Sequence, residues 1–329
     1  MITVSVIIPA YNAARTLPQT LAALSPPPHP PLEIIVVDDG SSDDTAHIAK
    51  ANGAHVLRHE QNIGAAAAKN RGAQMATGDI LFFTDADIVP PRGAVERIAA
   101  VFQADELDGI VGLLDENIPH ANWASQFKNL WMNFTYARFA GMERIGLFYT
   151  SVAAMRRAVF LELGGFDENY RRASIAEDTE FGQRAWGRGA RIRLEPELRV
   201  VHLKAYTLGN VLGEDYHRAR ALTLMRLRKR NAPFFTSVPF FYQLAVPTIY
   251  LTVIFSLAAL VLQNSVLGVI ALAGLCIFSA LNFSLLQFLA QKRGVWFALR
   301  AAFFLPLDVF VVGLGMLRAF LDFPRGIRY

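Results

Sequence analysis

The stretch that decides the fold is Glu33-Ile-Ile-Val-Val-Asp-Asp-Gly-Ser-Ser-Asp-Asp-Thr45. The apolar run ends in two aspartates and a glycine turn, which predicts a buried strand followed by a helix from Thr45. The same alternation recurs along the front of the chain, with apolar runs at 1–9, 55–58 and 80–84 and helical stretches at 16–24, 45–51 and 65–76. Short buried strands that alternate with helices indicate an α/β fold, a parallel sheet with helices on both faces. Such folds bind ligands beyond the carboxyl ends of their strands.

The composition excludes a wholly soluble protein. Of 329 residues, 53% are hydrophobic and 18% are charged, with a mean hydropathy of +0.29, whereas soluble domains carry about 45–50% apolar and about 25% charged residues. A single cysteine, Cys276, excludes a disulfide framework and a cysteine-based zinc site. Residues 1–200 hold 19 basic and 24 acidic side chains, but residues 201–329 hold 13 and 4. We therefore expect an acidic front half in water and a basic, apolar back half in a membrane.

The back half contains two long uncharged segments, 238–262 and 265–291. Each exceeds the roughly 20 helical residues needed to cross about 30 Å of hydrocarbon, and the two residues between them predict a hairpin. A third apolar segment, 301–320, contains Pro306 and Asp308. It is either a third span or a segment that lies in the interface or dips back, and we favour the second, because a crossing would leave Arg318, Arg325 and Arg328 on the far side.

These segments divide the chain into a front domain at 1–205, an interfacial, amphipathic basic segment at 206–235 and a transmembrane domain at 236–329. The basic segment carries arginines and a lysine between 218 and 230, whereas the hairpin tip is uncharged. The positive-inside rule then places the front domain in the cytoplasm. We expect a multi-pass protein of the cell (inner) membrane with a cytoplasmic catalytic domain.

Paired carboxylates follow two neighbouring strands of the front domain. Asp38 and Asp39 close one strand, where a carboxylate can accept a hydrogen bond from a uracil imide or a ribose hydroxyl. The other strand ends in Asp85-Ala86-Asp87. Carboxylates at i and i+2 share one side of an extended chain and would repel each other, so a divalent cation such as Mg²⁺ is their natural partner.

Three further groups of polar residues belong to the candidate site. Lys69 and Arg71 lie on an alanine-rich helix, where we expect Arg71 to bind phosphate and Lys69 to be solvated. Glu177 and Asp178 open a predicted helix, so they either stabilise its first turn or take part in acid–base chemistry. His202 ends a predicted strand and either binds a metal or diphosphate or is held by hydrogen bonds.

The order of these motifs resembles the family 2 glycosyltransferases, inverting enzymes with the GT-A (Rossmann-like) fold. The resemblance covers about residues 3–205 and rests on SVIIPAYNAARTL, EIIVVDDGSSDDT, NIGAAAAKNRGAQMATGDILFFTDAD, GGFDE and AED. It implies an α/β nucleotide-sugar-binding domain followed by a helical membrane domain. A Gln-x-x-Arg-Trp motif, present in processive members, is replaced here by Asp215-Tyr-His-Arg218-Ala, which disfavours a polymer synthase.

The resemblance also implies a role for each site residue. Pro9, Ala10, Tyr11 and Asn12 would lie against the nucleotide base. Asp39 would contact the base, with Asp38 beside it and Arg71 near the diphosphate. Asp85, Ala86 and Asp87 would face the ribose and, through Asp87, a metal that His202 could also bind. Asp178 would be the general base, with Glu177 next to it.

The predicted function is transfer of a sugar from a nucleotide sugar, with a UDP-sugar as the expected donor, to a lipid or polyisoprenoid-linked acceptor at the cytoplasmic membrane face. Mg²⁺ or Mn²⁺ is the expected cofactor, and no nucleic-acid partner is expected. The alternatives are a nucleotidyltransferase, which would need a glycine- and arginine-rich phosphate loop that residues 9–15 do not provide, or a non-catalytic membrane scaffold with a transferase-like domain.

Overall fold

The computed structural model describes residues 2–24, 32–170, 176–228 and 234–327. Within these described ranges, the front domain contains a sheet of eight strands: β1 Val4–Ala10, β2 Leu32–Asp38, β3 His55–Arg58, β4 Ile80–Thr84, β5 Ile88–Val89, β6 Gly109–Leu114, β7 Val152–Arg156 and β8 Ile192–His202. Its helices are α1 Leu17–Ala23, α2 Thr45–Ala51, α3 Ala65–Met75, α4 Ala94–Ala104, α5 Trp123–Ala137, α6 Arg157–Glu162 and α7 Glu177–Gly187. The remaining helices are α8 Leu208–Arg228, α9 Phe240–Val261, α10 Ser265–Leu281, α11 Phe283–Arg293 and α12 Val295–Asp322.

The sheet runs in the order β3-β2-β1-β4-β7-β6-β8-β5. The four strands from β3 to β4 are parallel, as predicted, but β7 is antiparallel to both β4 and β6, so the sheet is mixed. The carboxyl ends of β1, β2 and β4 therefore meet the amino end of β7 at one edge, where Thr84 pairs with Val152. Loops from distant parts of the sequence converge at this edge.

Helix α3 packs unusually close to the sheet. A Cβ atom on Gly72 would lie 2.6 Å from the Ile7 side chain, so only glycine fits at this point of contact. Ala66, Ala68 and Ala73 are fully buried on the same helix. The small residues bring α3 against β1 and β2 and thereby fix where its polar side chains enter the sheet edge.

The C-terminal helices differ in part from the predicted spans. Among the described residues, α9 and α12 are each long and apolar enough to cross a membrane. The predicted span 265–291 is divided into α10 and α11, which meet at a 55° bend. Asn282 lies at this bend and donates a hydrogen bond to the Phe278 carbonyl oxygen at 2.9 Å. Segment 301–320 lies inside the continuous helix α12.

Two elements join the front domain to these helices. The aromatic face of α5 packs against them, with the Trp123 ring 5.3 Å from Phe304 and the Phe134 ring 5.2 Å from Phe288. Helix α8, which covers most of the predicted basic segment, lies between the front domain and α12: Asp215 pairs with Lys128 of α5, and the Tyr216 backbone lies against Gly315. Lys229, Arg230 and Arg328 lie outside the described residues.

Candidate active site

The loops at the carboxyl ends of β1 and β2 are hydrogen-bonded to each other. Asn12 adopts a left-handed backbone conformation, with φ 49°. Its backbone N–H donates to the Ser41 hydroxyl at 2.9 Å, and its side-chain oxygen accepts from the Ser42 N–H at 2.9 Å. The neighbouring Tyr11 is 54% exposed, whereas Ala10 is buried and Pro9 pairs with Val37 in the sheet. Of the four residues predicted to lie against a base, Tyr11 and Asn12 are therefore presented at the surface.

The aspartates of the β2 end are buried and turn towards neighbouring loops. Asp38 accepts from the Ser41 N–H at 2.9 Å and pairs with Arg58 at 3.2 Å. Asp39 accepts from the backbone N–H groups of Ile63 and Gly64, at 3.1 and 2.8 Å. These contacts fix the chain that leads into α3.

His59 completes the surroundings of Asp39, with its Nδ1 atom 2.8 Å from the carboxylate. Gly40 closes the turn with φ 76°, and a Cβ there would lie 2.6 Å from the Gln61 backbone. This corner is built by contacts between loops, and a contact of Asp39 with a nucleotide base stays a prediction.

The Asp-Ala-Asp motif is divided between two sets of partners. Asp85 accepts a hydrogen bond from the Ser151 hydroxyl at 2.5 Å, next to β7. Asp87 lies 3.3 Å from the Nε2 atom of His202, at the end of β8. Ala86 between them is buried, and its carbonyl accepts from Thr20 at 3.1 Å. The two carboxylates are half-buried and lie two residues apart at the sheet edge.

The pairing of Asp87 with His202 has an electrostatic consequence. Burial alone would raise the pKa of Asp87, but the hydrogen bond and charge of His202, together with the charge of Lys204, lower it below its ordinary value. Asp87 is therefore held in its charged form beside an imidazole. Among the described residues, no group of three or more histidine, cysteine or acidic side chains forms a complete metal site.

Of the two cations on α3, Lys69 and not Arg71 points into the sheet edge. Lys69 is buried and donates to the Thr150 hydroxyl at 2.6 Å and to Glu177 at 3.0 Å. Burial would lower the pKa of Lys69, but the charges of Glu177, Asp85 and Asp178 raise it. Arg71 is exposed. The expectation of a solvated Lys69 was therefore wrong, because α3 packs so closely that the side chain enters the protein.

Asp178 is a half-buried carboxyl at the start of α7, and its pKa is raised above the ordinary value. Burial and the adjacent charge of Glu177 raise its pKa to about 6, against the opposing effect of Lys69 and Arg218. Its Oδ1 atom accepts from the Thr179 N–H at 2.6 Å. A carboxyl that titrates close to neutrality can accept a proton near neutral pH and release it again.

Arg218 of α8 is a member of this site that the sequence interpretation assigned to the membrane surface. Burial would lower its pKa, but Tyr136, Asp215 and Asp178 raise it, so the side chain stays charged. Its Nε atom is buried without a hydrogen-bond partner among the described residues. The signal in the sequence was its spacing: Arg218 lies three residues after the buried Asp215, on the same helical face.

The mixed sheet and its helices form a Rossmann-like GT-A fold, and comparison with known proteins gives the family. Residues 5–164 match the family described as Glycosyl transferase family 2, so this part of the chain is a family 2 glycosyltransferase domain. This agrees with the resemblance in the sequence and favours a glycosyltransferase over a nucleotidyltransferase. Among solved structures, the chain is similar to a mannosyltransferase from Pyrobaculum calidifontis in complex with GDP-Man and Mn²⁺. The two share a TM-score of 0.58 and 22% identity, over 95% of this chain and 86% of that one.

Two curated relatives show the same similarity in sequence. The pre-mycofactocin glycosyltransferase of Mycobacterium tuberculosis is 31% identical over 212 residues, which cover 60% of this chain and 42% of that protein. Glycosyltransferase AglE of Haloferax volcanii is 29% identical over 174 residues, 50% of this chain and 55% of that one. The chain spans about half the length of these relatives.

Proposed function

We propose that the protein is a membrane-bound, inverting glycosyltransferase that moves a sugar from a nucleotide sugar to a lipid or lipid-linked acceptor. The observation that carries the proposal is the position of Asp178. This carboxyl, with its pKa of about 6, lies in one electrostatic cluster with Lys69 and, through Lys69, with Asp85 of the Asp-Ala-Asp motif. The proposed proton acceptor and the proposed donor-binding motif thus lie close together at one edge of the sheet.

The chemistry of inversion needs one base. An acceptor hydroxyl approaches the anomeric carbon from the face opposite the leaving group and gives its proton to Asp178. The acceptor oxygen forms a bond to the anomeric carbon while the bond from that carbon to the diphosphate oxygen breaks, and the nucleoside diphosphate leaves with the electron pair. No covalent intermediate with the protein is formed, and Asp178 later releases the proton to water.

Lys69 and Glu177 hold this base in position and are themselves engaged in an ion pair. Their buried ion pair at 3.0 Å satisfies both charges, and the Lys69 ammonium is anchored by Thr150 as well. Breaking such a pair typically costs several kcal/mol, because one charge is left buried without a partner. We therefore assign Lys69 and Glu177 as positioning residues that fix the start of α7.

A divalent cation fits the residues at the other end of the motif. Asp87 and His202 converge within 3.3 Å and are partly exposed, and Mg²⁺ or Mn²⁺ is often held by one or two protein groups, with phosphate oxygens and water completing its shell. Asp87 and His202 would hold the cation, with Asp85 nearby. When bound, it would neutralise charge on the departing diphosphate.

The donor would lie against the loops after β1 and β2. The exposed Tyr11 offers a ring on which a base can stack, and Arg71 is an exposed cation on the first turns of α3. Both UDP- and GDP-sugars satisfy this chemistry. The sequence favours UDP, whereas the Pyrobaculum calidifontis structure contains GDP-Man.

The acceptor is assigned from the surroundings of the site. Helix α8 carries Arg218 towards Asp178 on one side and packs against the apolar α12 on the other. The exposed apolar side chains of α9 and α10 include Leu257 and Val261, which suit lipid and not water. A base this close to membrane helices supports an acceptor delivered from the bilayer, with the catalytic domain on the cytoplasmic face of the cell membrane.

The experiment that tests the proposal is transfer of radiolabelled sugar by protein in vesicles. UDP- and GDP-sugars are supplied in turn with Mg²⁺ or Mn²⁺, and the vesicles contain either a lipid with a free hydroxyl or a polyisoprenyl phosphate. We expect label to enter the lipid phase with wild type and not with Asp178→Asn. Donor hydrolysis without transfer to any lipid, or full transfer by Asp178→Asn, would contradict the proposal.

A further inference from the structure

Helix α12 has two different apolar faces. One packs inside the protein and includes Ala301, Leu305 and Val309, all fully buried. The other face carries exposed apolar side chains from one end of the helix to the other. Their spacing is three or four residues, except for one step of seven. They are Trp296, Leu299, Phe303, Leu307, Leu314, Leu317 and Leu321. Trp296 and Phe303 are more than 80% exposed. We call this row the outer stripe of α12.

The N-terminal end of α12 is fixed to the catalytic domain. Just before the helix, Lys292 pairs with Glu116 at 2.6 Å, and Arg293 donates to Gln126 at 2.8 Å. The Trp123 indole N–H donates to the Phe297 carbonyl oxygen at 3.4 Å. Glu116 follows β6 and Gln126 lies in α5, so this end of α12 rests on the front domain.

The C-terminal end of α12 is fixed to the same body. Asp322 is fully buried and pairs with Arg220 of α8 at 2.7 Å, and Arg228 donates to the Ile327 carbonyl oxygen. Between these points a Cβ on Gly315 would collide with the Tyr216 carbonyl oxygen, so the two helices are in close backbone contact.

Helix α8 in turn belongs to the catalytic domain. Asp215 forms a buried ion pair with Lys128 of α5, and Met225 packs in a small apolar cluster with Tyr170 and Ala176, just before α7. Both ends of α12 are therefore attached to one polar domain.

We propose that α12 does not cross the bilayer but lies along its surface, with the outer stripe in the lipid interface. With 28 residues it is about 42 Å long, and a crossing would place its ends on opposite sides of about 30 Å of hydrocarbon. The contacts at both ends forbid that separation. This inference extends the proposed membrane attachment: only the α9–α10 hairpin enters the bilayer, and α12 holds the catalytic cleft against it.

The charges agree with a bilayer as the occupant of the stripe. Residues 234–291 contain no lysine or arginine, whereas the exposed Arg300 and Arg325 lie along or just beyond α12, and the exposed Arg318 is paired with Asp322 at 3.0 Å. These cations can reach anionic headgroups while the stripe sits between them, as in interfacial helices. The stripe is also continuous in character with the exposed apolar surface of the hairpin, and every cation stays on one side of the membrane.

Depth measurements along α12 test the inference. In a Cys276→Ser background of the full chain, single cysteines replace Leu299, Leu307, Leu314 and Leu321 and carry a nitroxide. Accessibility to oxygen and to a water-soluble nickel complex then reports the depth of each label in vesicles. We expect one shallow depth at all four positions, within about 5 Å, because the positions share one face of a helix parallel to the surface.

A matched series on the hairpin is the control. Labels at Leu251, Leu257 and Val261 of α9 should lie at clearly different depths, since ten helical residues span about 15 Å. A depth profile along α12 that passes through a deep centre, or labels that all report water, would overturn the inference. As a second measurement independent of these substitutions, a C-terminal tag should be cleaved by protease added on the side of the catalytic domain. Sugar transfer is measured separately, so a failed depth profile and a failed transferase assignment are distinguishable.

Discussion

Replacing Asp178 by asparagine should abolish sugar transfer and at the same time stabilise the protein. The substitution removes the proton acceptor, which typically contributes 10²–10⁴-fold to the rate. It also removes a carboxylate that the fold holds at a cost, because burial and Glu177 disfavour its charged form. A residue kept only for packing or helix capping would instead lose stability when changed.

The size of the stabilisation follows from the pKa. The pKa of Asp178 rises from 3.8 to about 6 on folding, a difference of about 2 units and so about 3 kcal/mol at most. Between pH 4 and 6 the folded state binds more protons at this group than the unfolded state, so the free energy of unfolding falls as the pH rises. Asparagine does not titrate, so its free energy of unfolding carries no such dependence on pH. The stabilisation of Asp178→Asn relative to wild type should therefore be full at pH 7.5 and nearly absent at pH 4.

The assay is thermal unfolding of both proteins at these two pH values, together with transfer measured across pH 5–8. In wild type, transfer should fall about tenfold per pH unit below pH 6, because the protonated base is inactive. Asp44→Asn is the matched control: it makes the same chemical change at an exposed position outside the cluster and should leave both readings unchanged. An Asp178→Asn protein that retains transfer, or that melts lower than wild type at pH 7.5, would refute the reasoning.

Three further substitutions test neighbouring parts of the site. Arg218→Gln removes a cation that lowers the pKa of Asp178, so transfer should drop roughly threefold at pH 6 and change little at pH 8. Arg218→Lys keeps the charge and should behave like wild type. An equal loss at both pH values would argue against an electrostatic role. His202→Ala should weaken Mn²⁺ binding, read by calorimetry with a nucleoside diphosphate present, by roughly tenfold, and unchanged binding would remove His202 from the site. Gly165→Ala should lower the melting temperature more than Gly164→Ala. Both glycines have a positive φ, but of the two only Gly165 has a neighbour in the way of a Cβ, Asn70 Oδ1 at 2.6 Å. Equal losses in melting temperature would contradict this.

The elements of the front domain were predictable because their signals are local. The predicted strands 55–58 and 80–84 and the helix 45–51 agree with β3, β4 and α2, and the other early elements differ by a few residues at their ends. Apolar runs, glycine turns and helix-forming stretches act over a few residues, so the sequence alone exposes them. The antiparallel β7 had no such signal, because strand direction depends on how the chain returns to the sheet.

The candidate site was predictable by residue type but not by contact. Asp85, Asp87, Glu177 and Asp178 stand out because they follow a strand or open a helix, and an α/β fold brings such chain positions to one edge of its sheet. The burial of Lys69 was not visible in the sequence. It follows from the glycine and alanine contacts that draw α3 onto the sheet.

The apolar C-terminal region divides in the same way. Length and the absence of charge determined that 238–262 and 265–291 are apolar helical segments, since hydropathy is a sum over neighbouring residues. Whether α12 could cross a bilayer, however, depends on what its two ends touch. Arg220 and Asp322 are about a hundred residues apart in the chain and 2.7 Å apart in space, and only the folded chain brings such partners together.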